Sequence, residues 1–93
     1  PAAYSAIKGG LTNFTKYLAS YYGKDGVRVN IVSPGGIFDN QHPIFVEQYN
    51  HKVPMKRMGK AEDISNTLDF LISDKSDYIN GQNIAVDGGF LAW

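Results

Sequence analysis

The sequence has no cysteine and no excess of charge of either sign. Without a thiol there is neither a disulfide framework nor a thiolate metal site, and the histidines, His42 and His51, lack metal-ligand spacing. Nine basic residues balance nine acidic ones, which argues against a nucleic-acid surface. No apolar run approaches the roughly 20 residues of a membrane span, and no signal peptide is visible. We expect a cytoplasmic protein without nucleic-acid, membrane or metal partners.

The remaining composition is that of a folded protein of one domain at most. The chain has 93 residues, and its hydrophobic content of 43% is too high for a disordered chain. Hydrophobic periodicity, β-branched runs and turn residues predict, in order, a helix over 3–22, a strand over 27–32, a short helix over 43–51, a helix over 61–73 and a strand over 83–86.

This alternation of helices and strands is typical of an α/β protein with a parallel sheet. Two parallel strands do not make an independently stable sheet, because about three or more are needed, with helices on both faces. The first strand also leaves an apolar edge exposed. We therefore expect further sheet-forming residues to precede Pro1.

The first predicted helix carries two distinct faces. One face is an apolar stripe that recurs with the helical period: Ile7, Leu11, Phe14, Leu18 and Tyr21. The second face is formed by Ala3, Ala6, Gly10 and Tyr17. Its small side chains favour close approach, either to a partner helix or to a core. Gly23 and Gly26 are predicted to end this helix, since glycine accepts the left-handed conformation. On the helix over 61–73, the predicted buried stripe is Ile64, Leu68, Leu71 and Ile72.

Tyr4 and Lys8 are the clearest candidates for chemistry. Their spacing of four residues places both side chains on one helix face, about 5–6 Å apart at their Cβ atoms. A nearby ammonium group favours a phenolate, so such a tyrosine can exchange a proton with a carbonyl or alcohol oxygen. The pair alone is weak evidence, because it also describes an exposed aromatic–lysine contact on a helix.

The sequence around this pair is more specific than the pair itself. Five blocks follow one another at fixed spacing: Tyr4–Leu11, Val27–Gly36, Met58–Gly59, Tyr78–Gln82 and Val86–Gly89. Together they resemble the short-chain dehydrogenase/reductase family over essentially the whole chain. The resemblance implies the C-terminal part, residues 1–93, of a single NAD(P)-binding Rossmann-type domain, a doubly wound parallel sheet whose N-terminal cofactor-binding half is absent here.

The resemblance implies an oxidoreductase that moves a hydride between the nicotinamide of NAD or NADP and a carbonyl or alcohol substrate. Tyr4 would be the general acid/base, and Lys8 would assist it and bind the nicotinamide ribose. Pro34 and Gly35 would line the nicotinamide, and the backbone of Ile37 would bind its carboxamide. The family also implies a homodimer or homotetramer, with contacts from the tyrosine helix and from the chain end at residues 87–93.

Some features depart from the family pattern and leave alternatives open. Asp39 stands where the family has a cofactor-binding threonine, so Asp39 or Asn40 is expected to face substrate instead. The catalytic serine and the glycine-rich pyrophosphate turn fall outside these residues. A non-catalytic nucleotide-binding or structural relative is the alternative, and the 93 residues alone are expected to be inactive. Residues 34–41 resemble members that act in flagellin-glycan or related sugar pathways, and a 3-oxoacyl-carrier-protein reductase is the rival.

Overall fold

The computed structural model describes residues 1–92, which form helices around a two-stranded parallel sheet. The helices are α1 (Ala2–Tyr22), α2 (Pro43–Lys52) and α3 (Ala61–Ile72), and the strands are β1 (Ile31–Pro34) and β2 (Asn83–Val86). Single 3-10 turns lie at Gly23–Asp25, Asp74–Ser76 and Phe90–Ala92. The predicted order of elements is confirmed, and β2 has the predicted bounds.

The two strands run side by side in the same direction. Ile31 lies opposite Asn83, and Pro34 lies opposite Val86. The crossover between the strands contains α2 and α3, and α3 packs against both strands. A parallel pair joined by a helical crossover is the unit from which doubly wound sheets are built.

The first strand is shifted from its predicted position, because residues 27–30 have no strand beside them. They face the turn over 80–82 instead: Val29 N–H donates to Asn80 Oδ1 at 2.9 Å, and Asn30 Nδ2 donates to the Ile79 carbonyl at 3.0 Å. At the other end the strand includes Pro34 and so extends two residues beyond its predicted end at residue 32. The N–H groups of alternate residues in this strand donate to β2. The nitrogen of Pro34, which carries no hydrogen, lies on the side of the strand turned away from β2, so no hydrogen bond between the strands is lost.

Helix α1 ends at Tyr22 and passes through one 3-10 turn before the chain reverses. Gly26 has a φ of 78° and supplies the left-handed residue, whereas Gly23 has a right-handed φ of −58°. The prediction that both glycines end the helix is therefore correct in place, but only Gly26 uses the freedom that glycine provides.

The predicted apolar stripe of α3 is only partly buried. Leu71 is 8% exposed, whereas Leu68 is 46% exposed and Ile72 is 80% exposed. Leu71 and Ile72 are separated by about 100° around the helix, and only the side that carries Leu71 is turned towards the sheet. The prediction of Leu68 and Ile72 as buried residues was wrong.

Little apolar surface is buried within residues 1–92. The buried hydrophobic side chains are Ala19, Val53, Met58 and Leu71, and most large apolar side chains of α1 are more than half exposed. The radius of gyration is 15.5 Å, against about 12 Å for a compact chain of this length. Only the last two turns of α1 hold buried residues, Thr15 and Ala19, and the first three turns carry none.

Candidate active site

Tyr4 and Lys8 lie one turn apart in the exposed first half of α1. The Tyr4 side chain is 63% exposed, and the Lys8 ammonium nitrogen lies 5.7 Å from the centre of the Tyr4 ring. This distance falls within the range of a cation–π contact. The predicted pair is therefore a real side-chain contact, with both polar groups open to an incoming molecule.

A cleft of about 400 Å³ separates this face of α1 from the sheet. One wall comes from α1 and contains Tyr4 and Lys8, and the other comes from β1 and includes Pro34. The cleft is further lined by Ile7, Leu11, Thr12 and Asn83. Three of the five predicted site residues thus share one cavity, at the carboxyl end of a parallel strand, where doubly wound sheets bind ligands.

Gly35 begins the loop that leaves β1 and lies where no side chain fits. Its N–H donates to the Val86 carbonyl at 2.9 Å, which continues the ladder by one bond. A Cβ atom at Gly35 would lie 2.8 Å from the Cα of Asp87. The backbone after Pro34 is therefore held tightly against the end of β2.

The backbone of Ile37 forms an isolated parallel bridge with Gly59. Gly59 N–H donates to the Gly36 carbonyl at 2.8 Å, and Phe38 N–H donates to the Gly59 carbonyl at 2.9 Å. The backbone N–H and carbonyl of Ile37 point away from Gly59, and the carbonyl accepts a hydrogen bond from Gln41 Nε2 at 2.9 Å. Within residues 1–92 its N–H has no acceptor, so it can donate a hydrogen bond to an oxygen atom of a ligand.

Gly59 is held in turn by the start of α3. The Asp63 carboxylate accepts hydrogen bonds from Arg57 Nη1 at 3.0 Å and from the Lys60 N–H at 2.7 Å. The hydrogen bond from Arg57, and then that from the Lys60 backbone, lower the pKa of Asp63 below its ordinary value. A charged Asp63 in the first turn also suits the helix dipole. These bonds fix the residues on either side of Gly59.

Comparison with known proteins identifies the family. A family model described as enoyl-(acyl carrier protein) reductase matches residues 1–91. A short-chain dehydrogenase from Leptospira borgpetersenii, solved with bound NAD+, superposes with a TM-score of 0.88 at 48% identity, over 97% of this chain and 35% of that one. The chain belongs to the short-chain dehydrogenase/reductase family.

Two curated members of the family show how much of a relative the chain represents. A 3-oxoacyl-[acyl-carrier-protein] reductase of Buchnera aphidicola is 50% identical over 90 residues, which are 92% of this chain and 37% of that protein. The post-translational flagellin modification protein A of Campylobacter coli is 44% identical over 87 residues, 94% of this chain and 34% of that protein. The chain therefore spans slightly more than a third of the length of these relatives. The predicted family and α/β fold class are confirmed.

Other predicted features of this family member have mixed outcomes. His42 caps α2, with its Nδ1 accepting from Ile44 N–H at 3.2 Å, so it has a structural role in the loop. Asp39 is exposed, and its N–H donates to the Gln41 side chain. Trp93, the last residue of the expected subunit contact at the chain end, lies outside the described residues. No helix in the described part of the chain is both long and apolar enough to cross a membrane.

Tyr49 is the site residue that the sequence did not reveal. It lies in the last turn of α2, thirteen positions after Gly36, and its hydroxyl accepts a hydrogen bond from the Gly36 N–H. No motif marks this tyrosine among the chain's six. The one available signal was the glycine pair 35–36, since consecutive glycines often mark a place where another group approaches the backbone closely.

Proposed function

We propose that the protein is an NAD(P)-dependent oxidoreductase that interconverts a carbonyl and an alcohol. The observation that carries the proposal is the single cleft shared by Tyr4, Lys8 and Pro34. Membership of the short-chain dehydrogenase/reductase family supports it, as does the NAD+ bound in the Leptospira relative.

The residues present fit a nicotinamide nucleotide. The N–H of Ile37, which has no acceptor among residues 1–92, is a donor for the carboxamide oxygen, and the close-packed backbone at Gly35 leaves no side chain to obstruct a flat ring. The exposed ammonium group of Lys8 suits the ribose hydroxyls, since it can donate several hydrogen bonds. The nicotinamide, when bound, supplies or accepts the hydride.

Tyr4 would carry the proton in this reaction. In the reducing direction a C–H bond forms at the carbonyl carbon, and the Tyr4 hydroxyl gives its proton to the carbonyl oxygen, leaving a phenolate and an alcohol. The Lys8 ammonium nitrogen lies 5.7 Å from the centre of the Tyr4 ring, and the proton is restored from solvent because Tyr4 is largely exposed. Oxidation of an alcohol follows the same steps in reverse.

The relatives indicate the general class of substrate. Both a 3-oxoacyl-[acyl-carrier-protein] reductase and a flagellin modification protein resemble this chain closely. We propose a small carbonyl or alcohol compound as substrate. We also propose that residues 1–93 form the C-terminal part of one NAD(P)-binding domain, because each relative extends well beyond the matched region.

The exposed faces of α1 support self-association as a homodimer or homotetramer. Phe14 and Tyr17 are each more than half exposed and lie outside the cleft, and the small residues Ala6 and Gly10 also face outward. An apolar helix face of this kind is normally covered by another surface. A cytoplasmic location stays a prediction from the sequence.

The test is a chimera in which residues 1–93 replace the region that they match in the Buchnera 3-oxoacyl-[acyl-carrier-protein] reductase. We expect the chimera to bind NADH or NADPH and to reduce a 3-oxoacyl substrate, and Tyr4→Phe to lower the rate at least a hundredfold. Tyr17→Phe is the matched control, because Tyr17 is equally aromatic, lies on the same helix and is 59% exposed.

Each result of this experiment has a definite meaning. Loss of turnover with cofactor binding retained, in Tyr4→Phe alone, supports the proposal. Equal activity of the two variants would remove Tyr4 from the mechanism. Binding of the cofactor by the chimera without turnover of any carbonyl or alcohol would instead identify a non-catalytic relative.

A further inference from the structure

Tyr49 reaches from the end of α2 to the loop that follows β1. Its hydroxyl oxygen accepts a hydrogen bond from the Gly36 N–H at 2.5 Å, which is a short contact for this pair of groups. The bond joins α2 to the loop after β1, which is expected to face the cofactor.

The space beside Gly36 is filled by the phenol ring. A Cβ atom at Gly36 would lie 2.5 Å from Tyr49 Cζ and 2.7 Å from its hydroxyl oxygen. Real Cβ atoms do not approach other heavy atoms so closely, so a side chain at residue 36 and a tyrosine at residue 49 exclude each other in this geometry. Gly36 and Tyr49 therefore act as one unit.

Tyr49 itself contacts two other aromatic rings. Its ring stacks on Phe90 with centres 5.9 Å apart and on Phe45 with centres 6.4 Å apart. Phe90 follows the turn after β2, where its N–H donates to the Asp87 carbonyl at 3.2 Å. These contacts restrict the position of the Tyr49 ring, whose hydroxyl is hydrogen-bonded to Gly36.

Both backbone groups of Gly36 are consequently occupied. Tyr49 takes the N–H, and the carbonyl accepts from Gly59 N–H at 2.8 Å. The Gly36 carbonyl and the Ile37 N–H belong to the same planar peptide and point in opposite directions. The Gly59 bond therefore orients the peptide that carries the Ile37 N–H, and the Tyr49 bond holds the preceding peptide, so together they restrict rotation on both sides of the Gly36 Cα.

We propose that Tyr49 is a positioning residue that sets the Ile37 N–H for the nicotinamide carboxamide and couples the placement of α2 to cofactor binding. This inference rests on the proposed function. It predicts that changes at Tyr49 weaken cofactor binding although the side chain is not a predicted cofactor contact. It also predicts that the cost of a side chain at Gly36 depends on what occupies position 49.

The first measurement is NADH or NADPH affinity of the full-length protein by fluorescence titration. Tyr49→Phe keeps the stacked ring but leaves the Gly36 N–H without its acceptor, so we expect affinity to fall about tenfold. We expect kcat at saturating cofactor to change less than twofold. Tyr78→Phe is the control, because Tyr78 is fully exposed and its hydroxyl makes no hydrogen bond within the described part of the chain.

The second measurement is a double-mutant cycle between the two positions. Gly36→Ala should weaken cofactor binding strongly when Tyr49 is present and much less in the Tyr49→Val background, where the ring is gone. A favourable coupling of this sign supports the contact as a unit. Additive effects of the two substitutions, or a Tyr49→Phe affinity equal to that of Tyr78→Phe, would overturn the inference.

The outcomes also separate this inference from the function on which it rests. If the unaltered protein binds neither NADH nor NADPH, the proposed function fails, and the inference fails with it. If the unaltered protein binds the cofactor and Tyr49→Phe binds it equally well, only the role of Tyr49 is lost.

Discussion

The guanidinium of Arg28 donates from Nη2 to the carbonyl of Leu71 at 2.9 Å, joining the segment before β1 to the end of α3 across 43 residues. Its other nitrogen, Nη1, donates to Ser76 Oγ at 3.0 Å. The last carbonyls of a helix have no partner within the helix, and a positive charge there suits the dipole. The last turn of α3 has no basic residue of its own. Arg28 therefore supplies both a hydrogen-bond donor and a positive charge at this end of the helix.

Replacing Arg28 by Met should therefore destabilise the fold. The substitution keeps an apolar stem of similar length but leaves the Leu71 carbonyl and Ser76 hydroxyl without this donor. We expect the free energy of unfolding of the full-length protein to fall by about 2 kcal/mol, measured by urea denaturation. Arg57→Met is the control, since Arg57 is exposed and pairs only near the surface. An equal loss in both variants would contradict this role for Arg28.

The bounds of most elements could be predicted from the sequence, whereas those of β1 could not. The helices α1 and α2 and the strand β2 follow from local periodicity and turn residues, and each lies within one residue of its predicted bounds. The position of β1 does not, because it depends on contacts with the turn at Asn80, about 50 residues away in sequence. Long-range pairing of this kind leaves no local pattern.

The candidate site divides in the same way. Tyr4 and Lys8 could be paired from spacing alone, because residues four apart share a helix face. The fit of Tyr49 against Gly36 could not, because it requires the position of α2 relative to the loop after β1. Likewise the exposure of Ile72 reflects which side of α3 meets the sheet, and the apolar character of residue 72 does not reveal this.

Two glycines should respond in opposite ways to the same substitution. Gly88 has a φ of 64°, and a Cβ there would lie 2.9 Å from Val53 Cγ1. We expect Gly88→Ala to lower the free energy of unfolding by about 1–3 kcal/mol, through backbone strain and overpacking. Thermal unfolding of the full-length protein followed by circular dichroism would measure the change.

Gly10→Ala is the comparison, because Gly10 lies inside α1 with nothing within 4 Å of an added Cβ. Alanine is the better helix former, so we expect a gain of about 0.5–1 kcal/mol. A loss of stability at Gly10, together with a lower association state by sedimentation, would instead show that another copy packs closely against this face.

The ion pair at the start of α3 predicts a dependence on pH. The pKa of Asp63 is lowered by the Arg57 hydrogen bond and by the Lys60 N–H. Its stabilising effect is therefore complete above the unfolded value of about 3.9 and is lost as the pH falls through the lower, folded value. We expect Asp63→Asn to be less stable than the unaltered protein at pH 7, and the difference to shrink below about pH 4.

Asp69→Asn serves as the control for this effect, since Asp69 is an exposed residue of the same helix. Its stability should follow that of the unaltered protein across the whole range of pH. The Asp63 effect should also decrease in salt, because the pair is near the surface and is screened. A difference that stays constant from pH 7 to pH 3 would show that Asp63 acts through packing instead of charge.

Lys8 should contribute to cofactor binding through its ammonium group. It lies over the Tyr4 ring with its charge exposed towards the cleft, so the proposed function assigns it the ribose hydroxyls. We expect Lys8→Met to weaken NADH or NADPH binding by the full-length protein at least tenfold, since a hydrogen bond from a charged donor contributes about 1.5–3 kcal/mol. Lys16→Met removes an equal charge two turns further along α1, outside the cleft, and should leave affinity unchanged.

Lys8→Arg keeps the charge but changes the donor geometry, and we expect only partial recovery of cofactor affinity. If Lys8→Met and Lys16→Met weaken binding equally, net charge rather than a ribose contact accounts for the effect, and the assignment of Lys8 is wrong.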